Sequence, residues 1–397
     1  MKEGWTYKKL GEIALDMYRG SGIKRDQVTK EGVPCVRYGE IYTTYNYAFD
    51  ECVSHTNEEC ITSPKYFSHG DLLFAITGES VEDIGKTIAY LGNDKCLLGG
   101  DIVCMKHEQN PKYLAYALSS RDAIRQKGYG KTKLKVVHTS IPALSEIKIP
   151  IAPLDEQQRI VERLDSAFEN IDELKANAEK QLAEARTLFQ KSLAKAMEPK
   201  EGWEVKALKE LGMTQTGTTP SKNDKENYGD FIPFIRPSEI DYDDCGNIDY
   251  NSEIKLSEKG LSAGRLFKKG SILMVCIGAT ISKVGFVTQD VSCNQQINVL
   301  TPKKEYYYKF IYYAMRNKEF KDKVIKEGTS SQATLPIINK GKWERLTISL
   351  PPLAEQQRIV ERLDALSENI RKYEEIQRQI ISECDALKQT LLRKVFE

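Results

Sequence analysis

Cysteine and histidine are both scarce and scattered in this 397-residue chain, which has nine cysteines and four histidines. No Cys-x-x-Cys pair occurs, so a disulfide framework and a structural zinc site are excluded, and a reduced, cytoplasmic protein is favoured. The net charge is only +1, so any attraction for nucleic acid must come from a local surface. Long apolar runs are also missing. The longest, residues 272–277, fits a buried strand and is too short to span a membrane, and no signal-peptide pattern is present.

The sequence also lacks a set of residues that would form an active site. Residues 78–87 resemble a phosphate-binding loop but have six residues between the glycines where four are needed. Residues 241–252 resemble a calcium loop, yet Cys245 and Ser252 stand where oxygen ligands are required. No dinucleotide fingerprint, amino-methyltransferase motif or Cys/His cluster with metal-ligand spacing occurs. We therefore predict a chain that is not itself an enzyme and has no metal or cofactor of its own.

An internal repeat is the strongest feature that the sequence does have. Residues 153–171 and 352–370 lie 199 positions apart and agree at 15 of 19 positions. Shorter matches relate the segments upstream of them, including Lys-Glu-Gly-Trp at the start of each half and the glycine-bounded runs 70–78 and 270–278. Self-similarity of this extent indicates a duplicated architecture. The predicted segments are globule 1–152, helix 153–198, globule 199–351 and helix 352–397, with helices inside the globules near residues 111–125 and 307–326.

Both copies of the repeated stretch predict long helices. Apolar residues alternate four and three apart, which is coiled-coil spacing, and a proline before acidic residues suits a helix start. A first helix over residues 155–197 would be about 65 Å long, and such a seam needs a partner. We predict the other copy in antiparallel orientation, with a second molecule as the alternative. The residues predicted at the coiled-coil or subunit interface are Gln157, Arg159, Ile160, Leu164, Ile171, Leu174, Gln356, Arg358, Ile359, Leu363, Ile370 and Leu387.

The fold class that follows is α+β. It consists of two similar globular α+β domains separated by two long helices, which form an antiparallel coiled coil with pseudo-two-fold symmetry.

Basic residues concentrate just upstream of each long helix. Residues 121–138 contain six lysines and arginines against Asp122 alone, and residues 303–345 contain eleven basic residues against five acidic ones. Lysines that contact phosphates, beside small polar side chains that reach base edges, are what DNA recognition needs. A charge run is more often a solvated face. Recurrence at equivalent positions favours DNA binding here.

Two further pairs recur at equivalent positions and are open to two interpretations. Arg37 and Arg236 each precede a glutamate by three residues, so they suit either a bidentate contact to guanine or an internal ion pair. Lys86 and Lys283 follow glycine-rich turns and suit either a phosphate contact or an ordinary exposed site. The full set of candidate DNA-binding residues is Arg37, Lys86, Lys127, Lys131, Lys133, Lys135, Arg236, Lys283, Lys326, Ser330, Ser331 and Gln332.

The repeated stretch resembles a signature of the specificity (S) subunits of type I restriction–modification enzymes. The pattern Pro-Leu-x-Glu-Gln-x-x-Ile-x-x-x-Leu-Asp occurs at residues 153–165 and again at 352–364. Gly-Thr-Thr-Pro-Ser at 217–221 and Tyr-Gly at 228–229 also resemble features of the family's recognition domains, whereas Gly-Ser-Gly at 20–22 departs from them. The resemblance covers essentially the whole chain.

This resemblance implies different roles for the globules, the long helices and the partner subunits. Each globule would be a target recognition domain that reads one half of a split site in double-stranded DNA. The helices would set the gap and dock two methyltransferase (M) subunits, which carry S-adenosylmethionine. A restriction (R) subunit, where the system has one, would use ATP and Mg²⁺. The departure at residues 20–22 implies that the two globules read different sequences.

Two other functions stay open at the level of sequence. One is the specificity subunit of a related enzyme that fuses cleavage with methylation, which partner identity would reveal. The other is a coiled-coil scaffold whose globules bind proteins, which salt-dependent retention on DNA would exclude.

Overall fold

The computed structural model describes residues 4–81, 83–129, 137–240, 248–251, 254–329 and 335–397. It contains two compact units, one formed by Met1–Asn177 with Ile380–Glu397 and the other by Ala178–Gln379. Each unit therefore combines a globule with part of both long helices, which differs from the four sequential segments predicted above.

The first unit is built on two five-stranded sheets. Its strands are β1 (Thr6–Lys9), β2 (Asp16–Arg19), β3 (Val28–Thr29), β4 (Val33–Val36), β5 (Ala48–Phe49), β6 (Ser54–Thr56), β7 (Tyr66–Phe67), β8 (Leu72–Ala75), β9 (Thr77–Gly78), β10 (Thr87–Tyr90), β11 (Cys96–Leu98), β12 (Ile102–Lys106), β13 (Val137–His138) and β14 (Lys148–Ile151). The sheet orders are β2-β12-β8-β10-β5 and β3-β6-β4-β11-β7. The pairs β1–β14 and β9–β13 complete the unit.

Among the described residues, five short α-helices precede the first long helix. They are α1 (Leu10–Ile13), α2 (Tyr38–Thr43), α3 (Pro111–Ala117), α4 (Arg121–Gly128) and α5 (Ile141–Ser145), followed by α6 (Leu154–Ala196). One continuous helix was predicted near residues 111–125. The chain instead forms α3 and α4, because the Ser120 side chain accepts from the backbone N–H of Ala123 and starts a new helix.

The second unit repeats this plan with smaller sheets. Its strands are β15 (Glu204–Ala207), β16 (Gly212–Thr216), β17 (Tyr228–Ile235), β18 (Lys255–Leu256), β19 (Ile272–Val275), β20 (Val284–Phe286), β21 (Ser292–Cys293), β22 (Ile297–Pro302) and β23 (Thr347–Leu350). The sheet orders are β16-β22-β19-β20 and β18-β17-β21, with β15 paired to β23. The helices are α7 (Leu208–Leu211), α8 (Glu258–Ala263), α9 (Tyr308–Arg316), α10 (Lys318–Thr329), α11 (Lys340–Trp343) and α12 (Leu353–Phe396).

The central strand of each unit is buried on both faces. Leu72 and Phe74 of β8 belong to the core shared with the helices, whereas Leu73 and Ala75 face the second sheet. Strand β19 distributes its four side chains between two cores in the same alternating way. The alternation follows from the two-residue period of a strand. The glycine before each strand, Gly70 or Gly270, has a positive φ of 87° or 85°, so glycine suits these turns.

The two long helices match their predicted extents to within two residues, with 43 residues in α6 and 44 in α12. In each globule, the strand that precedes the long helix pairs antiparallel with the first strand of that globule, β14 with β1 and β23 with β15. Each long helix therefore begins at a fixed place on its sheet. Among the described residues, no helix is long and apolar enough to cross a membrane.

Candidate nucleic-acid interface

Two signature residues fix the first long helix to its own globule. Gln157 is fully buried, and its Nε2 donates to the carbonyl of Ala152 at 2.8 Å. At the last residue of the signature, Asp165 accepts from Lys112 Nζ at 2.5 Å and from the Tyr116 hydroxyl at 2.5 Å. Lys112 and Tyr116 lie on α3, so the carboxylate joins α6 to the helix that packs beneath it. No sequence pattern pointed to these two partners.

The second unit makes the same contacts with the second copy of the signature. Gln356 donates to the carbonyl of Pro351 at 2.8 Å. Asp364 accepts from Lys309 Nζ at 2.6 Å and from the Tyr313 hydroxyl at 2.7 Å. Burial, and then the hydrogen bond to the aspartate, raises the pKa of Tyr313, and the same causes act on Tyr116 in the first unit. Both tyrosines therefore stay protonated as donors.

These contacts place four of the predicted interface residues away from the seam between the long helices. Gln157 and Gln356 serve as internal anchors to their own globules, so they do not lie on the seam between the long helices. Arg159 and Arg358 are exposed and pair with acidic residues one turn earlier on their own helices. They therefore also lie off the seam.

Within the first unit, α6 and α12 run antiparallel. Lys175 pairs with Asp385 at 2.9 Å, and Asp172 pairs with Lys388 at 2.5 Å, so ascending positions on α6 meet descending positions on α12. Phe168 lies beneath this pair, with Lys388 Nζ 5.2 Å from the ring centroid. The predicted antiparallel pairing is thus present in this unit.

Within the second unit, the equivalent ion pair is present with its charges reversed. Glu374 lies 199 positions after Lys175, and Arg186 lies 199 positions before Asp385. Arg186 Nε donates to Glu374 Oε1 at 3.1 Å, and Arg378 contacts the other carboxylate oxygen at 3.0 Å. The Glu374 side chain is only 4% exposed.

The buried seam differs from the predicted one at alternate positions. Leu164, Ile171, Ile359, Leu363 and Ile370 are buried as predicted, and Ile160 is half-buried. Leu174 and Leu387 are 50% and 46% exposed, so they lie off the seam, and their place at a subunit interface stays a prediction. The seam passes instead through the residues that directly follow the predicted apolar positions along each helix. These residues include Val161, Phe168, Lys175, Val360, Ser367, Glu374 and Lys388.

Arg37 and Arg236 both form the internal ion pair. Arg37 contacts Glu40 at 2.8 Å and Arg236 contacts Glu239 at 2.6 Å, and both glutamates are buried. Burial alone would raise the pKa of Glu239, but hydrogen bonds from Arg236 and Ser238 outweigh it and hold that pKa below its usual value. About a third of each arginine side chain stays exposed, 31% and 37%, so an outer face remains accessible.

The lysine candidates separate into internal and exposed groups. Lys86 Nζ donates to the carbonyl of Tyr45 at 3.0 Å, and burial lowers its pKa. Lys283 is half-buried with its Nζ 3.4 Å from the carbonyl of Pro237. Lys326 is exposed on α10.

Lys127 is not available to a phosphate. It is buried, its Nζ donates to Thr87 Oγ1 at 3.0 Å and to the Leu118 carbonyl at 2.8 Å, and burial lowers its pKa to about 7. The structure therefore corrects its assignment as a surface contact. The remaining candidates, Lys131, Lys133, Lys135, Ser330, Ser331 and Gln332, lie outside the described residues.

A pocket of about 760 Å³ in the second unit groups polar residues that the sequence prediction missed. Three consecutive amides follow β21, and the first of them, Asn294, is buried and donates to Gln296 Oε1 at 2.9 Å. The Gln295 side chain is hydrogen-bonded by Thr219, from the Gly-Thr-Thr-Pro-Ser run. Amide side chains are suited to reading base edges. The cationic residues Lys222, Arg236 and Lys255 also line the pocket.

Gly217 allows the Gly-Thr-Thr-Pro-Ser run to pack against the loop that contains Asn294, Gln295 and Gln296. A Cβ atom at Gly217 would lie 2.1 Å from the Asn294 carbonyl oxygen, so only glycine permits this approach. Gly20 has the same role in the first unit, where a Cβ would lie 2.1 Å from the Gly99 carbonyl oxygen. The recurrent Gly-rich turns could have identified this loop pair, whereas the amides themselves carry no sequence signal.

The first unit has different side chains at the equivalent edge. The residues after Cys96 are Leu-Leu-Gly-Gly-Asp, where the second unit has Asn-Gln-Gln after Cys293. Asp101 pairs there with Arg19 at 2.5 Å. The two units thus share a loop geometry and present different chemistry on it. Among the described residues, no group of acidic, histidine or cysteine side chains could hold a metal ion.

Comparison with protein families gives one model that matches most of the chain. The model described as the type I restriction modification DNA specificity domain matches residues 2–184 and again residues 200–381. Its two matches correspond to the two halves of the internal repeat.

Curated relatives share modest identity with the chain. A proposed specificity subunit of the type I restriction enzyme MjaX, from Methanocaldococcus jannaschii, is 26% identical over 93% of this chain and 88% of that protein. The StySPI specificity subunit of Salmonella potsdam is 23% identical over 100% and 89%. Other matches are partial: the MjaIX specificity subunit of M. jannaschii is 30% identical over 47% of this chain, and the match spans 43% of that protein.

Solved structures share the fold. A chain from a type I R-M system, studied for complex assembly and conformational transition, superposes with a TM-score of 0.78 and 19% identity, over 99% of this chain and 98% of that one. The HsdS subunit from Thermoanaerobacter tengcongensis gives a TM-score of 0.56 and 16% identity, over 100% and 97%.

Proposed function

The chain belongs to the family of type I restriction–modification DNA specificity subunits, and from this premise we propose that each of its units reads one half of a bipartite site in double-stranded DNA. The observation that carries this proposal is the contrast between the two equivalent loop edges. The contacts that anchor the helices are duplicated, whereas the exposed side chains beside Gly20 and Gly217 are not. A protein that reads two different half-sites needs this combination.

In the second unit, the amide pocket supplies the parts of a reading surface. Gln295 and Gln296 provide donors and acceptors for base edges, and Lys222 and Lys255 can contact flanking phosphates. The exposed side of Arg236 is available for a base or phosphate, while Glu239 fixes its orientation. Asn294 supports Gln296 from below and is not itself a contact.

Substitution of Gln295 by alanine tests this assignment. We expect about 10- to 100-fold weaker binding to the native site, because one base contact is worth roughly 1–3 kcal/mol. Selection of preferred sites from random DNA should show relaxed sequence only in the half read by the second unit. Gln389→Ala, an exposed glutamine on α12, is the matched control. Unchanged preference in Gln295→Ala, or changes in both halves, would contradict the assignment.

We propose that the long helices also dock two methyltransferase subunits, which supply S-adenosylmethionine and the catalytic groups. Identity between the two signature copies extends to an exposed face, and packing inside the fold does not require this. The shared exposed residues include Leu154, Arg159, Glu162, Arg163, Glu169 and Asn170 with their counterparts Leu353, Arg358, Glu361, Arg362, Glu368 and Asn369. A duplicated exposed face fits two copies of one partner.

A negative charge introduced on the duplicated exposed face of one helix should prevent the binding of one methyltransferase subunit. Leu154 and Leu353 are exposed apolar residues, 58% and 43%, at the start of each helix. We expect Leu154→Glu or Leu353→Glu to leave one methyltransferase per complex and the double variant to leave none, as counted by native mass spectrometry. Leu15→Glu, at an equally exposed leucine outside the helices, should keep both. Two bound subunits in the double variant would exclude this docking face.

A further inference from the structure

A cationic pocket of about 610 Å³ lies within the second unit, away from the amide pocket. It is formed by α6, α9, α10 and α12. Its charged lining consists of Arg186, Lys191, Arg316, Lys318, Lys321 and Arg371 against only Asp322 and Glu374. Neither the proposed reading surface nor the duplicated exposed face uses these residues.

Both carboxylates in the pocket are already paired. Asp322 contacts Lys318 at 2.6 Å, and Glu374 contacts Arg186 at 3.1 Å as well as Arg378. Arg371 is paired outside the pocket with Glu368 at 3.0 Å, so the positive charge of the lining centres on the buried Arg316.

Arg316 has a buried donor that lacks a partner. The residue is 5% exposed, and its Nη1 has no hydrogen-bond partner. The guanidinium carbon lies 4.5 Å from the Phe189 ring centroid, and this cation–π contact provides no hydrogen-bond acceptor for Nη1. The position at the end of α9 favours a cation but likewise provides no acceptor for Nη1. A buried, unsatisfied guanidinium donor is costly unless something accepts from it.

The equivalent position in the first unit shows that the fold does not require this arginine. Ser119 lies 197 positions before Arg316, and its hydroxyl donates to the carbonyl of Ala115 at 2.8 Å. The second unit has therefore acquired a buried cation where the first has a satisfied hydroxyl.

We propose that this pocket binds an oxyanion of the phosphate class, with Arg316 as its principal donor and Lys191 at its rim. Arginine suits this ligand because its planar fork matches phosphate oxygens. The apolar walls, Phe189, Ile325 and Ile370, exclude water and strengthen the charge-assisted hydrogen bonds. The pocket is larger than one phosphate, so an anion carried on an organic body also fits it.

Calorimetric titration of inorganic phosphate into the full chain, at constant ionic strength, tests the proposal. We expect saturable binding that Arg316→Met weakens by at least about tenfold, the loss of one charge-assisted hydrogen bond. Lys191→Met should weaken binding by about two- to threefold without affecting the fold, which keeps the test valid if Arg316→Met is unstable. Lys180→Met makes the same charge change on α6 outside the pocket and should leave binding unchanged.

Adenosine 5′-monophosphate distinguishes the two forms of the ligand. Tighter binding than phosphate, lost in Arg316→Met, assigns the site to an anion on an organic body, whereas equal affinity assigns it to the bare oxyanion. Absence of saturable binding in the millimolar range, or equal weakening by Lys180→Met and Lys191→Met, overturns the proposal.

Discussion

The two units use the same positions to hold the long helices, but they differ in the burial of what holds them. Lys175–Asp385 in the first unit and Glu374–Arg186 in the second are one ion pair with its signs exchanged. Lys175 is 30% exposed where its equivalent Glu374 is 4% exposed, and Asp385 is 65% exposed where its equivalent Arg186 is 40% exposed. Packing between the helices thus needs opposite charges at this place, and either helix can supply either sign.

The same comparison separates anchors from reading surfaces. The Gln and Asp anchors are duplicated without change, and the loop edges beside Gly20 and Gly217 are not. Contacts that fix a helix to a sheet tolerate little variation, because a shift there would displace the whole helix. Side chains on an exposed loop edge vary without cost to the fold.

The largest predicted difference between the units concerns the reversed ion pair. Glu374→Gln leaves Arg186 and Arg378 without their carboxylate in a buried site, so we expect a loss of about 3 kcal/mol in the free energy of unfolding. Lys175→Gln removes a largely exposed pair and should cost less than about 1 kcal/mol. Chemical denaturation of both variants measures the two losses.

A triple reversal sharpens that result. Glu374→Lys with Arg186→Asp and Arg378→Glu reproduces the charges that Lys175, Asp385 and Glu179 carry in the first unit. We expect it to recover most of the stability lost in Glu374→Lys alone. Equal losses in Glu374→Gln and Lys175→Gln would show that burial does not distinguish the pairs.

The anchors should respond equally in the two units. Asp165→Asn and Asp364→Asn each weaken one lysine contact while keeping an acceptor for the tyrosine, so we expect each to lower the free energy of unfolding by about 1–2 kcal/mol. Asp155→Asn, an exposed residue at the start of α6, is the control and should change it by less than about 0.5 kcal/mol. If one anchor variant were neutral and the other costly, the two signature copies would not be equivalent supports.

The internal duplication made the architecture predictable from sequence, whereas polar residues on the seam made its exact positions unpredictable. The repeat located both long helices and the central strands, since those depend on local periodicity. The seam was assigned through Leu174 and Leu387 because they are apolar, yet the half-buried Lys175 and Lys388 lie on the seam with ion pairs. A pattern based on hydrophobicity cannot recognise a seam position filled by a lysine whose partner lies on another helix.

The candidate site was less accessible to sequence reasoning for the same physical reason. Lys127 was grouped with its neighbours by charge, but its side chain enters the core and donates hydrogen bonds there. Asn294, Gln295 and Gln296 were missed because amides carry no charge and no periodicity. Only the fold brings them next to the Gly217 turn.

Lys127 also gives the smallest predicted difference between the units, and one that depends on pH. Its equivalent in the second unit is Val324, which is fully buried, so the first unit alone has an ionisable group there. Burial lowers the pKa of Lys127 to about 7 from its usual value of 10.5. Between these values the unfolded chain holds a proton that the folded chain lacks, so stability rises with pH in this window, and the penalty is complete below pH 7.

Comparison with Lys127→Met isolates this contribution, because methionine keeps the length of the side chain and cannot ionise. From pH 7.5 to 8.5 we expect the free energy of unfolding of the wild type to rise by about 1 kcal/mol relative to the variant. The measurement is a pair of denaturation curves at each pH, with Lys326→Met, at an exposed lysine on α10, as the control. The absolute stability of Lys127→Met is not diagnostic, since Thr87 and the Leu118 carbonyl lose a partner at every pH. A relative stability that stays constant or falls as the pH rises would mean that Lys127 keeps its proton in the folded protein, and the charge would then have to be offset inside the first unit.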